Sequence, residues 1–92
     1  MGPITAERFL EDVYKPYIGQ ISKHIFSIVR SREYTHDLAQ ETFRKALKGL
    51  AGFKGNSSLY TWLYRIATNV TNDWLRKQRR GPFNNFVVEF NE

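Results

Sequence analysis

Six polar side chains near the C-terminal half of the chain follow a spacing that a helix would turn into a line. Thr61, Arg65, Asn69, Asn72, Arg76 and Arg80 step by four, four, three, four and four. At 3.6 residues per turn they share one face, opposite an apolar stripe of Leu59, Trp62, Leu63, Ile66, Ala67, Val70, Trp74 and Leu75. Asparagine pairs with base edges, and arginine grips phosphate or base acceptors as a planar fork. Arg76, Lys77, Arg79 and Arg80 gather four positive charges at the end of the segment. Cations there also suit the negative end of a helix dipole, so a plain soluble helix is the competing structural explanation. Asparagine is a poor helix former, however, and two of them in mid-helix call for a reason beyond solubility.

Aromatic side chains crowd the start of the same segment: Phe53, Tyr60, Trp62, Tyr64 and, further on, Trp74. Trp62 and Trp74 fall on the apolar stripe and are expected in the core. Tyr60 and Tyr64 fall off it, which makes them candidates to stack on exposed bases, a contact worth ~1–3 kcal/mol per base.

A second polar face lies upstream. Asp37, Gln40, Glu41, Arg44 and Lys48 share one side of a helix whose other side carries Leu38, Ala39, Phe43, Ala46, Leu47 and Leu50. It has an ordinary structural explanation: a solvated surface supported by Glu41–Arg44 and Glu41–Lys45 pairs, each worth ~0.2–0.5 kcal/mol. Acidic residues in a first helical turn would also match the helix dipole.

Three helical stretches position these residues. The first runs from about Ala6 to Arg30, with Phe9, Val13, Tyr17, Ile21, Ile25, Ile28 and Val29 on one face. Pro16 interrupts it and predicts a kink, or two helices meeting, because proline removes a backbone donor. Ser31 to Thr35 reads as a polar connection with Thr35 as N-cap, so the second helix spans about His36 to Leu50. Glycines and asparagine make Ala51 to Ser57 a loop, Ser57 or Ser58 caps the third helix, and Gly81-Pro82 ends it. The fold class is therefore all-α, a small bundle of three main helices. We expect residues 1–5 to be an N-terminal extension and 6–82 the domain. The apolar tail Phe83 to Glu92 has no clear period, and packing back, running on as a linker, or adding a strand to a partner all remain open.

The composition narrows the function classes. With 92 residues, 41% hydrophobic, the chain suffices for one small core. Fourteen Lys and Arg against nine Asp and Glu give a net charge of +5, suited to a polyanionic partner. There is no cysteine, hence no disulfide or thiolate metal site. His24 and His36 lack ligand spacing to any third donor, no catalytic triad or phosphate-cradling loop is present, and neither cofactor nor metal is expected. No run is apolar enough to span a bilayer and no signal peptide is recognisable, so a cytoplasmic, non-enzymatic protein is expected.

Two stretches carry a family resemblance. Asp37-Leu-Ala-Gln-Glu-Thr-Phe43 resembles the motif that opens region 2.2 of extracytoplasmic-function sigma factors. The stretch from Phe53 to Asn69, Phe-Lys-Gly-Asn-Ser-Ser-Leu-Tyr-Thr-Trp-Leu-Tyr-Arg-Ile-Ala-Thr-Asn, is similar to their regions 2.3 and 2.4. The resemblance covers about Tyr14 to Arg80. It implies that Asp37, Leu38, Gln40, Glu41 and Arg44 bind the clamp coiled coil of the largest subunit of core RNA polymerase. It further implies that the loop Lys54, Asn56, Ser57, Ser58, Leu59 and Tyr60 receives a base flipped from the non-template strand of the promoter −10 element. Tyr64, Arg65, Asn69, Asn72, Arg76, Lys77, Arg79 and Arg80 would hold flanking bases and phosphates. An anti-sigma factor is a further implied partner, whereas a membrane is not.

The chain departs from the family pattern before Asp37, where Tyr34, Thr35 and His36 stand in place of acidic residues. The family's C-terminal helix-turn-helix for the −35 element is not in the sequence, and the tail would lead toward it. Two rival functions stay in view: a small repressor of closed duplex DNA, and a protein-interaction domain that uses only the second-helix face.

Overall fold

A computed structural model of the chain describes residues 5–80. All the regular structure among them is helical: α1 (Ala6–Phe9), a π turn (Leu10–Tyr14), α2 (Lys15–Val29), α3 (Arg32–Gly49), a 3-10 turn (Leu50–Gly52) and α4 (Leu59–Arg80). The fold is the all-α bundle of three main helices that the periodicity predicts. The expected N-terminal extension, apart from Thr5, and the apolar tail lie outside the described residues.

Each boundary has a local cause. Thr5 caps α1 by accepting the Arg8 N–H at 3.1 Å. α1 then widens into the π turn, where the Lys15 N–H reaches back five residues to the Leu10 carbonyl. Pro16 follows at once, in the first turn of α2. In a regular α-helix its ring would clash with the Asp12 carbonyl four residues back, and Asp12 lies in the widened turn.

α2 ends at Arg30, which takes the left-handed conformation at φ 58°, ψ 32° and donates its N–H to the Phe26 carbonyl. The next residue is already the cap of α3. Ser31 is extended, and its Oγ accepts the Tyr34 N–H at 3.2 Å. This corrects the expected connection. The link is Arg30-Ser31 rather than Ser31 to Thr35, and Thr35 is a buried residue inside α3. Because α3 begins at Arg32, Glu33 occupies its first turn. Asp37 and Glu41 lie farther along, so the helix dipole does not explain them.

The core joins all three helices. Ile21 and Ile25 of α2, Ala46 of α3, and Leu63 and Ala67 of α4 are fully buried. Burial stabilises each of the large side chains by ~1.5–3 kcal/mol. Tyr14 meets Phe43 edge-on at 5.0 Å between ring centroids, fastening the first helical stretch to α3. Thr42 is fully buried as well, its hydroxyl donated to the Leu38 carbonyl at 2.8 Å.

Candidate functional site

The outward face of α3 is a mixed-charge surface. Asp37 and Arg44 are exposed and Glu41 is half-buried. Glu41 accepts from Arg44 and also pairs with Lys45 at 3.9 Å. Gln40 donates through Nε2 to the Tyr14 hydroxyl at 3.0 Å, which ties the face to the first helical stretch. Leu38 does not belong to this surface: it is 7% exposed and part of the core.

Leu47 is the reverse case, expected inward but 45% exposed. The core face of α3 is made by Thr35, Leu38, Ala39, Thr42, Phe43 and Ala46. Leu47 stands about 100° beyond Ala46 around the helix axis, on the side of Gln40 and Arg44. The signal that could have revealed it is the threonine pair. Once Thr35 and Thr42 join the inward stripe, the stripe is complete without Leu47.

α4 presents the second face. Ser58 begins it by accepting the Thr61 N–H at 3.1 Å and donating its own hydroxyl to Thr61 Oγ1 at 2.9 Å. Arg65, Asn69, Asn72, Arg76, Lys77 and Arg79 are all exposed along the helix, and Arg80 closes it. At 22 residues the helix is about 33 Å long. Arg76 is ion-paired with Asp73 one turn back, whereas Arg65 has no acidic partner among the described residues.

The loop before α4 turns at Gly55, whose φ of +76° is a left-handed conformation that glycine adopts without strain. Lys54 and Asn56 are exposed, Ser57 is half-buried, and Ser58 serves as the cap. Leu59 and Tyr60 instead lean on the core and are half-buried, with the Tyr60 ring 6.0 Å from that of Tyr17. The exposed part of the loop is thus Lys54 to Asn56 together with Ser58.

The two sides of the α4 stripe border different neighbours. Toward α3 lies a cleft lined by Lys45, Gly49, Trp62, Asn69 and Asp73 among others. Its Trp62 ring passes so close to Gly49 that a side-chain carbon there would sit 3.4 Å away. Trp62 is half-buried and tilted against Phe53 at 4.9 Å, and Trp74 packs on Tyr34 at 4.9 Å, so neither tryptophan is fully enclosed.

Toward α2, Tyr64 is 38% exposed and stacked on His24, with centroids 4.0 Å apart. His24 also meets Thr68 Oγ1 at 3.0 Å. The Thr68 hydroxyl proton goes to the Tyr64 carbonyl at 2.9 Å, so His24 Nε2–H is the donor to Thr68. Burial holds the His24 imidazole below its ordinary pKa. Sequence spacing shows only that His24 lacks a third metal donor, and the packing of α2 on α4 brings it to Tyr64.

Among the described residues, no three His, Asp or Glu side chains gather as a metal set, and no helix is long and apolar enough to cross a membrane.

Comparison with known proteins identifies the family. The family model for sigma-70 region 2 matches residues 13–81, which runs from the end of the π turn through the connecting loop and all three main helices. The RNA polymerase sigma factor YlaC of Bacillus subtilis is 43% identical over 74 residues, 80% of this chain and 43% of its own length. The ECF RNA polymerase sigma factor SigG of Mycobacterium tuberculosis is 43% identical over 68 residues, 74% of this chain and 18% of its own. The ECF RNA polymerase sigma-E factor of Haemophilus influenzae is 43% identical over 58 residues, 63% of this chain and 31% of its own. The chain therefore spans less than half the length of these relatives. A bundle of this topology, matched from Val13 through the end of α4, belongs to the sigma-70 region 2 family, in its extracytoplasmic-function group.

Proposed function

We propose that this chain is the promoter-reading segment of a sigma factor, joining core RNA polymerase through α3 and holding the opened −10 element through the loop and α4. The observation that carries this reading is the exposed line Arg65, Asn69, Asn72 and Arg76, which starts beside the Ser58-capped loop. Flat donors and cations in one row suit a nucleic-acid strand, and a row about 33 Å long reaches several nucleotides.

The mechanism follows from the energetics of strand separation. Extruding one base costs a few kcal/mol in lost stacking and pairing. The loop Lys54 to Ser58 offsets that cost by binding the flipped non-template base, while α4 holds the neighbouring phosphates. Opening then draws on binding energy, without a catalytic residue, cofactor or nucleotide hydrolysis by this chain. On α3, Asp37, Gln40, Glu41 and Arg44 meet the clamp coiled coil of the largest polymerase subunit, and exposed Leu47 supplies an apolar anchor beside them. Leu38 supports that face from below. In this reading residues 6–82 act as the domain, residues 83–92 lead toward a −35-reading domain, and the protein works in the cytoplasm. An anti-sigma protein would regulate it by covering either face.

A pull-down with core polymerase, followed by crosslinking to each strand of a −10 promoter fragment, tests this reading. Capture by polymerase together with crosslinks to the non-template strand is expected. Capture without crosslinks would instead support an interaction domain, and duplex binding without polymerase would support a repressor.

A further inference from the structure

The α2 wall of the groove between α2 and α4 has no part in the reading above, yet the groove's chemistry is as specific as that of the α4 stripe. Gln20, Lys23, His24 and Ser27 form one wall, and Tyr60 and Tyr64 form the other. These six side chains include no carboxylate, and Lys23 makes no ion pair with a described residue. The groove therefore offers hydrogen-bond donors and one unneutralised cation, the combination that a phosphate seeks.

A series of aromatic rings runs into it from Tyr17. Tyr17 and Tyr60 are 6.0 Å apart, Tyr60 and Tyr64 5.8 Å, and Tyr64 and His24 4.0 Å. The last pair is the only stacked one of the three, at 25° between planes. His24 is itself held by its bond to Thr68, whose hydroxyl in turn bonds the Tyr64 carbonyl. Imidazole, threonine and tyrosine thus form a closed bracket that fixes the tyrosine ring. A ring fixed on one side and still 38% exposed is a stacking platform whose ordering cost is already met by folding.

The groove is also continuous with the proposed strand path. Tyr60 comes two residues after the capping Ser58, and Tyr64 precedes Arg65 on the exposed line of α4.

We propose that the groove between α2 and α4 is a nucleotide subsite, holding one base of the unpaired non-template strand on Tyr64 and its phosphate on Lys23. His24 is the positioning residue that sets the Tyr64 ring. The inference rests on the reading of α4 as a single-strand-binding face, and it adds α2 to that face.

The test uses the full chain and fluorescently labelled single-stranded non-template −10 oligonucleotides, each with one abasic site, read by anisotropy. For the unaltered protein, two separate positions should each lose about tenfold in affinity when their base is removed. In His24→Ala, one of these positions should become insensitive to base removal while the other keeps its full effect. His24→Phe, which keeps a ring against Tyr64, should restore the lost sensitivity. Lys23→Gln should lower the slope of log affinity against log salt by about 0.7. Lys23 is exposed, so this variant keeps the fold, and circular dichroism checks the others. If Arg65→Ala loses binding but the Lys23 and His24 variants match the unaltered profile, the α4 reading stands and the subsite is overturned. Absence of single-strand binding by the unaltered protein would overturn both.

Discussion

On α3 three outward charges, Glu41, Arg44 and Lys45, pair with one another, whereas in the exposed α4 line Arg65, Asn69, Asn72 and Arg76 the ion-paired member is Arg76. Glu41 engages both Arg44 and Lys45, and Gln40 is held by Tyr14, so the α3 surface is close to neutral and partly immobilised. Exposed Leu47 beside it gives that surface an apolar centre. On α4, Arg65 has no acidic partner among the described residues, and Asn69 and Asn72 offer flat amide edges to solvent. Two helices that share one core thus present unlike surfaces. A mutually neutralised, apolar-centred face matches another protein, because long-range attraction to a polyanion is weak there while packing is strong. A row of donors compensated only in part, at Arg76, matches a phosphate backbone. Lys45 belongs to both regions: it pairs with Glu41 on one side and lines the cleft with Asn69 on the other.

Charge reversal should break the comparison most sharply. Asp37→Lys with Glu41→Lys places like charges against Arg44 and Lys45 and against whatever the face meets. Like-charge juxtaposition costs several kcal/mol at an interface, so capture by core polymerase should fall by more than about 100-fold. Helicity by circular dichroism and single-strand binding should be retained, since both positions lie off the core. Unchanged capture from the folded double variant would remove polymerase binding from α3.

Salt should separate the two faces next. If α4 and the loop neutralise about four phosphates, affinity for single-stranded −10 DNA should fall roughly 50-fold between 50 and 200 mM salt. Neutralising Arg76 and Arg80 should lessen that slope for all sequences alike. Binding that ignores salt, or that favours duplex, would contradict a strand-opening role.

A smaller and more local effect is expected from the loop. Exchanging Asn56 to Ser58 for the corresponding residues of a relative should shift preference at one −10 position by ~1–3 kcal/mol. Leu59 is left in place because it packs against the core. A promoter library transcribed with the loop grafted into a full-length sigma factor gives the readout. A uniform loss across all −10 sequences would assign the loop a purely structural role.

The smallest expected effect sharpens the contrast within α4 itself. Asp73→Asn should release Arg76 from its ion pair and raise single-strand affinity by up to about fivefold, the scale of an exposed pair. Titration of the variant at low salt checks this, and a loss of affinity would mean that Asp73 positions Arg76 for the strand.

How much of this was legible beforehand differs by element. The apolar stripe of α4 was clear because Leu63, Ala67 and Val70 recur at helical steps and nothing interrupts them. The start of α3 was misplaced, because Ser31 and Thr35 are equally good caps by residue type. The left-handed Arg30, which leaves Ser31 extended and ready to cap, is a conformation that residue type does not announce. Hydrophobicity points Leu47 inward, while polarity marks Thr35 as an N-cap and keeps Thr42 off the apolar stripe. Inside a helix a threonine hydroxyl can bond a carbonyl one turn back, as Thr42 does, and the residue then behaves as a small core side chain.

By itself, the order of residues determined the helices, the family and the two chemical faces, because helical periodicity and motif spacing are properties of the chain alone. Tertiary structure decided which members of those faces reach solvent: it drew half of Tyr60 inward and turned Leu47 out. It also brought His24 to Tyr64 at a sequence separation of 40, with a bond to Thr68 at a separation of 44. Contacts of that range depend on how α2 packs against α4, and local spacing along either helix carries no record of it.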